Sequence, residues 1–293
     1  MTKPRVTILG LGVMGAGMAG RLLSEKFSLT VYNRGPEKAA AFAAAGAFVA
    51  PSPRQAAARS EVVLSMVSDD DASRAVWLGE NGALAGALPG AVLIESSTLT
   101  VRWIKELSLA ASERGLDLLD APVTGSKPHS ASGQLLFLVG GSAQALAKAR
   151  EVFAVLGREA IHLGPTGSGS LLKLVNNFLC GVQAASLAEG LSLVQRSGLD
   201  PEKALAVLIN GAPGSPLIKT ISERAAAGNF TPNFLLRLMA KDLGYAAEEG
   251  IQHGVRLETA ASALAVFRHA MAAGYGEMDF SAVIESLRPP REG

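Results

Sequence analysis

Along the first half of the chain, apolar residues come in short β-rich runs: RVTILG, LTVYNR, EVVLSMV, AVLIES and LDLLDAP. Ala-rich stretches of helical length separate them, and this alternation predicts a parallel sheet covered by helices. GQLLFLVGG and EAIHLG add two further strands. From Gly167 onward no strand is expected, and SLLKLVNNFLCGVQAASLAEGLSLVQRSG reads as one long helix over about residues 167–197. More helical segments follow, divided by turns at GLDPEK, GAPGSP and GNFTPNF, each of which carries Gly, Pro, Asn or Asp. The pattern therefore changes near residue 164, giving an α/β domain over 1–163 and an all-helical domain over 164–293. No fixed-period repeat is present, and the low-complexity run KAAAFAAAGAFVA reads as a helix packed closely on the sheet.

A chain of 293 residues accommodates two domains of ordinary size, and 48% hydrophobic with 18% charged residues leaves ample material for cores and little reason for disorder. Lys plus Arg number 27 against 26 Asp plus Glu with no basic cluster, so the footprint of a nucleic-acid binder is missing and the expected partners are small molecules. The single cysteine, Cys180, rules out an internal disulfide and fits a reducing compartment. With four scattered histidines it forms no metal-ligand spacing, so no metal is expected. The start MTKPRVTILGLGVMGAGMAG has the outline of a signal peptide, but glycines at 10, 12, 15, 17 and 20 would make a poor signal helix. No uninterrupted apolar run reaches the roughly 18 residues that span a bilayer. The expectation is a soluble, cytoplasmic protein without a membrane partner.

The N-terminal glycines have a better explanation. VTILGLGVMGAGMAGRLL gives a strand, then Gly10-x-Gly12-x-x-Gly15, then a helix. In that context the glycines serve a tight turn, close approach of a pyrophosphate to the backbone, and close helix–strand packing, with the helix start facing the phosphates. The second strand ends in Asn33 and Arg34, where an acidic residue would hold the ribose of NAD. Arg34 offers a planar fork of donors to a 2′-phosphate and Asn33 can bond the ribose, so NADP (NADPH) is favoured over NAD.

The second cluster, GPTGSGSLLKLVNN, fails as a P-loop because Ser170 and Leu171 follow Gly169 where Lys and Ser or Thr are required. What remains is a glycine-rich entry that lets a helix start approach another body closely. Lys173 and Asn177 are four apart and share one helix face, with Asn176 beside it. An ammonium among leucines loses hydration, and its pKa is expected to fall towards the range in which lysine acts as a general acid. A lysine snorkelling to solvent is the plainer alternative for this segment taken alone. In DAPVTGS, Thr124, Gly125 and Ser126 follow a strand and present hydroxyls and N–H groups suited to a carboxylate, or else make a structural turn.

GLGVMGAGM, DAPVTGS, GPTGSGSLLKLVNN and MAKDLGYA, in that order and over nearly the whole chain, resemble the signatures of the β-hydroxyacid dehydrogenase family. VYNR, PVTGSKP and GEMDFSAVIESL are most similar to its NADPH-dependent glyoxylate/succinic semialdehyde reductases. The resemblance implies a Rossmann-type doubly wound sheet domain and an all-α domain, joined by a long interdomain helix, with the active site in the cleft. It implies Lys173 as the catalytic lysine and Thr124, Gly125 and Asn177 as substrate-carboxylate contacts, with Asn176 adjacent; Ser126 of the same turn is counted with the substrate-binding residues. Gly10, Leu11, Gly12, Val13, Met14, Gly15, Asn33, Arg34, Met66, Val67, Thr98 and Lys241 are the implied cofactor contacts, with Asp242 ordering the last segment. Thr124 stands where the family usually has serine, and its extra methyl could narrow the pocket. Homo-oligomers, dimers or tetramers, are also expected.

The implied reaction is reduction of a small aldehyde acid, glyoxylate, succinic semialdehyde or a related 3-oxo acid. Oxidation of 3-hydroxyisobutyrate and reduction of tartronate semialdehyde are the alternatives. Imine reductases share the architecture but typically lack the lysine, and 6-phosphogluconate dehydrogenases are longer and carry histidine where Asn176 stands. A non-catalytic nucleotide-sensing scaffold is the rival from another class. The missing acid after the second strand predicts that NADPH binds much more tightly than NADH; equal dissociation constants by titration would overturn it.

Overall fold

Val6–Leu9 (β1) is buried at every position in the computed structural model, which describes residues 3–288. It leads into α1 (Val13–Ser24), β2 (Leu29–Tyr32), α2 (Ala40–Ala44), β3 (Phe48–Val49), α3 (Pro53–Ala57), β4 (Val62–Ser65), α4 (Asp70–Trp77), β5 (Val92–Glu95), α5 (Val101–Ser112) and β6 (Asp117–Asp120). These strands lie in the order β3-β2-β1-β4-β5-β6, all parallel, which is the doubly wound arrangement of dinucleotide-binding sheets. Successive strand residues face opposite sides. Ile8, Leu64 and Ile94 join one core with Met18 and Leu22 of α1, whereas Leu9, Val63 and Leu93 join another with Trp77 and Trp103. Cover on both faces is why the strands read as continuous apolar runs.

The two further strands do not simply extend the parallel order of the first five. After β6 come β7 (Val123–Thr124), α6 (Lys127–Ser132), β8 (Leu135–Gly140), α7 (Ala143–Leu156) and β9 (Gly157–Gly164). β8 runs antiparallel to β6 and β7, and β9 pairs parallel to β8. The connection from Thr124 to Leu135 is shorter than the roughly dozen residues a parallel crossover needs, so the chain must turn back. β3 and β7, two residues each, were not expected as strands.

α8 (Ser168–Arg196) is a single 29-residue helix. α9 (Pro201–Asn210), α10 (Pro216–Ala226), α11 (Leu236–Gln252) and α12 (Glu258–Ala270) follow, then a short helical stretch over Phe280–Leu287. Asp200 and Ser215 cap α9 and α10 from the breaks at GLDPEK and GAPGSP, and proline occupies the first turn of each. No strand follows Gly164 among the described residues; an isolated bridge joins Leu235 and Asp279. By length and composition α8 is apolar enough to cross a membrane. Its Ala184, Leu187 and Ala188 instead fill a core with Met239 and Leu243 of α11 and Phe267 of α12.

The chain forms two compact units, Met1–Lys173 and Leu174–Gly293, which divide within α8. The first turns of α8 belong to the sheet. A Cβ on Gly169 would overlap the carbonyl oxygens of Leu138, within β8, and Asp120, at the end of β6. This close approach is the reason for glycine there. Gly169→Ala should therefore destabilise the protein by about 1–3 kcal/mol through overpacking. Gly190→Ala, where nothing lies within 4 Å of the new Cβ, should stabilise α8 by up to about 1 kcal/mol. Urea denaturation of both variants checks the contrast in sign.

Candidate active site

The loop after β1 is shaped by backbone crowding. Gly10 has φ +101°, and a Cβ there would overlap the carbonyl of Met66 at the end of β4. A Cβ at Gly15 would overlap the carbonyl of Gly10, which holds α1 hard against the loop. Gly12 differs: nothing lies within 4 Å of its Cβ position, and it caps α1 without a side-chain hydrogen bond or an acid in the first turn. The helix start, lined by Leu11, Val13 and Met14, thus offers backbone N–H groups and open space to an anion, which fits a dinucleotide pyrophosphate.

Asn33 holds this loop in place. Its Oδ1 accepts the Leu11 N–H at 2.8 Å and its Nδ2 donates to the Gly35 carbonyl at 2.8 Å. The side chain expected at the ribose is thus bonded at both ends to backbone. Arg34, by contrast, is exposed and makes no ion pair among the described residues. Met66 and Val67 sit where β4 ends: the Met66 N–H bonds to the Leu9 carbonyl at 2.9 Å, and the Val67 N–H to Ser97 Oγ at 2.8 Å. Thr98 is half-buried in the loop after β5.

Asp120 is the residue whose role the sequence did not disclose. Fully buried at the end of β6, it accepts the Gly167 N–H on Oδ1 and the Ser170 N–H on Oδ2, each at 2.8 Å. Helix starts leave such N–H groups without intrahelical partners, and an anion there also suits the helix dipole. Lys173 follows Ser170 by three positions, on the turn next to the pinned one, and is half-buried. The same strand end leads to Thr124, whose β7 pairs with β8, then to Gly125 at φ +120° and to Ser126 at the start of α6. The Ser126 N–H donates to His129 Nδ1 at 3.1 Å. Asp120 therefore ties the candidate carboxylate cradle and the lysine helix to one point.

In the second unit, the expectation that Asn177 holds a substrate carboxylate meets a side chain 4% exposed and bonded at both ends. Its Nδ2 donates to Asp242 Oδ2 at 2.6 Å, and its Oδ1 accepts from Asn176 Nδ2 at 2.9 Å. Asn177 thus braces α8 on α11. Lys241 pairs with Asp242 Oδ1 at 2.8 Å and lies 4.4 Å from the Tyr245 ring. Asp242 orders this segment from both sides. Among the described residues no Cys, His, Asp and Glu group could hold a metal.

Residues 5–164 match the NAD-binding domain of 6-phosphogluconate dehydrogenase, and residues 167–287 match the NAD-binding domain of NADP-dependent 3-hydroxyisobutyrate dehydrogenase. Over 99% of both chains it is 35% identical to an NAD-dependent L-serine dehydrogenase of Pseudomonas aeruginosa. Identity is 32% to glyoxylate/succinic semialdehyde reductase 1 of Arabidopsis thaliana, covering 98% of this chain and 99% of that one. The solved 3-hydroxyisobutyrate dehydrogenase of Mycobacterium tuberculosis with L-serine superposes with a TM-score of 0.88 at 31% identity, covering 99% of this chain and all of that one. Fold and relatives together define a nicotinamide-dependent dehydrogenase acting on CH–OH groups. The chain belongs to the β-hydroxyacid dehydrogenase family.

Burial pushes the Asp120 carboxyl above its ordinary value of about 3.8, against the opposing pull of the Gly167 and Ser170 N–H groups. A folded-state pKa above the unfolded one gives a contribution to stability that is full below about 3.8 and is lost as pH rises through the raised value. The stability of the wild type relative to Asp120→Asn should accordingly fall as pH rises from about 3.8 and then level. Urea denaturation over an acidic pH series reads this; a difference that grows with pH would contradict it.

Proposed function

We propose that the protein reduces a small aldehyde acid, of the glyoxylate or succinic semialdehyde type or a related 3-oxo acid, to its hydroxy acid, reversibly and with NADPH. The observation that carries the reading is Asp120, which fixes the start of the Lys173 helix at the end of β6, the strand that leads into Thr124–Gly125–Ser126. The cofactor, when bound, supplies the hydride. Gly10 to Gly15 hold its pyrophosphate, with Met66, Val67, Thr98 and Lys241 as further contacts. Arg34, exposed and without an ion pair among the described residues, holds the 2′-phosphate.

Lys173 Nζ gives its proton to the carbonyl oxygen as the C–H bond forms, and in the oxidative direction takes the hydroxyl proton. The Thr124 hydroxyl, the Gly125 N–H and Ser126 hold the substrate carboxylate, with Asn176. Asn177, bonded to Asp242, keeps Asn176 and Lys173 in register on α8. Positioning and stabilisation of the forming alkoxide supply most of the rate.

A second reading is NAD(P)-linked oxidation of a 3-hydroxy acid, the substrate class of the L-serine and 3-hydroxyisobutyrate dehydrogenases named above. A panel of glyoxylate, succinic semialdehyde, methylmalonate semialdehyde and tartronate semialdehyde with each cofactor, run beside the hydroxy acids, separates the two. Lys173→Met should lower kcat with the best aldehyde acid by at least about 100-fold, as expected for loss of a general acid. The cofactor Kd should stay within about threefold, since the change removes a transition-state interaction. The wild-type rate should also fall at high pH as the group deprotonates. Undiminished turnover in Lys173→Met would overturn the mechanism.

A further inference from the structure

Glu95 ends β5, is fully buried, and has no role in the chemistry proposed above. Its Oε1 accepts the Ser97 N–H at 2.9 Å. Its Oε2 accepts the Ser73 hydroxyl at 2.6 Å and Trp77 Nε1–H at 2.7 Å. Ser73 Oγ in turn accepts Trp103 Nε1–H at 2.9 Å. Indole nitrogens only donate, so Ser73 must pass its own proton towards Glu95, and every bond in the chain points at the carboxylate. Burial pushes this carboxyl above its ordinary range, and the donors pull against it.

The network spans the two loops that follow β4 and β5. Ser73 and Trp77 lie four apart on the buried side of α4, while Ser97 lies in the loop after β5. Two more ties join the same segments. The Val67 N–H donates to Ser97 Oγ at 2.8 Å, and Asp70 accepts both the Thr100 N–H at 3.0 Å and the Thr100 hydroxyl at 2.6 Å. Outside the network, the Arg74 guanidinium lies 3.9 Å over the Trp103 ring.

We propose that Glu95 is a positioning residue for the cofactor: it locks the Met66–Asp70 and Ser96–Thr100 segments into one frame, and Trp77 and Trp103 are its optical reporters. The proposal rests on the assignment of Met66, Val67 and Thr98 as cofactor contacts. A surface of fixed loops binds a dinucleotide without first ordering it, so loosening the frame appears as weaker cofactor binding. The chain has only two tryptophans, both at most 1% exposed and both bonded into this network, so their emission reads its state directly.

Glu95→Gln keeps the size and one acceptor but replaces the other oxygen with a donor, which opposes Ser73 and Trp77 if it stands at Oε2. Measured with the tighter of NADPH and NADH, the Kd should rise about tenfold, with kcat at saturating cofactor and the KM of the aldehyde acid within about threefold. Tryptophan emission should move to longer wavelength, and amide exchange should quicken at Val67, Ser97 and Thr100 while β1 stays protected. Ser73→Ala, a milder cut in the same chain, should raise the Kd about twofold to fivefold even if Glu95→Gln fails to fold. Wild-type Kd and wild-type exchange at those amides in a folded Glu95→Gln, or in Ser73→Ala where Glu95→Gln does not fold, would overturn the proposal. Thr98→Ala is the separate arm: an unchanged Kd there removes the contact assignment of Thr98, while the Glu95 result stands or falls on its own Kd and exchange.

Discussion

Asp120 accepts two backbone N–H groups at the start of α8, and the placement of the candidate lysine follows from that bond pair. A 29-residue helix beginning against the end of a buried sheet would otherwise bring unpaired donors into a dry environment, at a cost of about 1–3 kcal/mol for each. The carboxylate removes that cost, and the bare backbone of Gly169 lets the helix come close enough for it to do so. The glycine-rich entry and the acid ending LDLLD are thus two halves of one junction. Lys173 is placed because the turn before it is fixed.

The same device recurs around the strand ends. Asn33 accepts the Leu11 N–H, Ser97 accepts the Val67 N–H, and Glu95 accepts the Ser97 N–H. In the second unit Asp242 accepts from Asn177, which accepts from Asn176. Loops at the carboxyl edge of a parallel sheet have no ladder to complete their hydrogen bonds, and buried side-chain acceptors take the ladder's place. The N–H groups at the start of α1 and the exposed Arg34 have anion chemistry to offer.

Much of this was legible in the sequence. The five apolar runs, the glycine spacing after the first and the long helix from residue 168 all carry local signals, and so does the absence of strands after it among the described residues. The two-residue strands β3 and β7 do not, because Phe48–Val49 sits in an Ala-rich run and Val123–Thr124 in a turn-like motif. The reversal at β8 was also hidden, since an apolar run has no direction. Site residues divide similarly. The glycines and the lysine are conspicuous by type and neighbours, but the bracing bonds of Asn33 and Asn177 leave no local sign, since one partner of each lies 22 and 65 residues away. Asp120 and Glu95 had one available signal, an acid closing an apolar run, which becomes informative only when both faces of that strand are known to be buried.

A double-mutant cycle on kcat/KM between Asp120→Asn and Lys173→Met tests the central claim most directly, because residues that act through one another are non-additive. If Asp120 serves the reaction by placing Lys173, the loss caused by Asp120→Asn in the wild type should largely vanish in the Lys173→Met background. Losses that simply add would show that the two residues act independently, and the junction would then be a matter of folding alone.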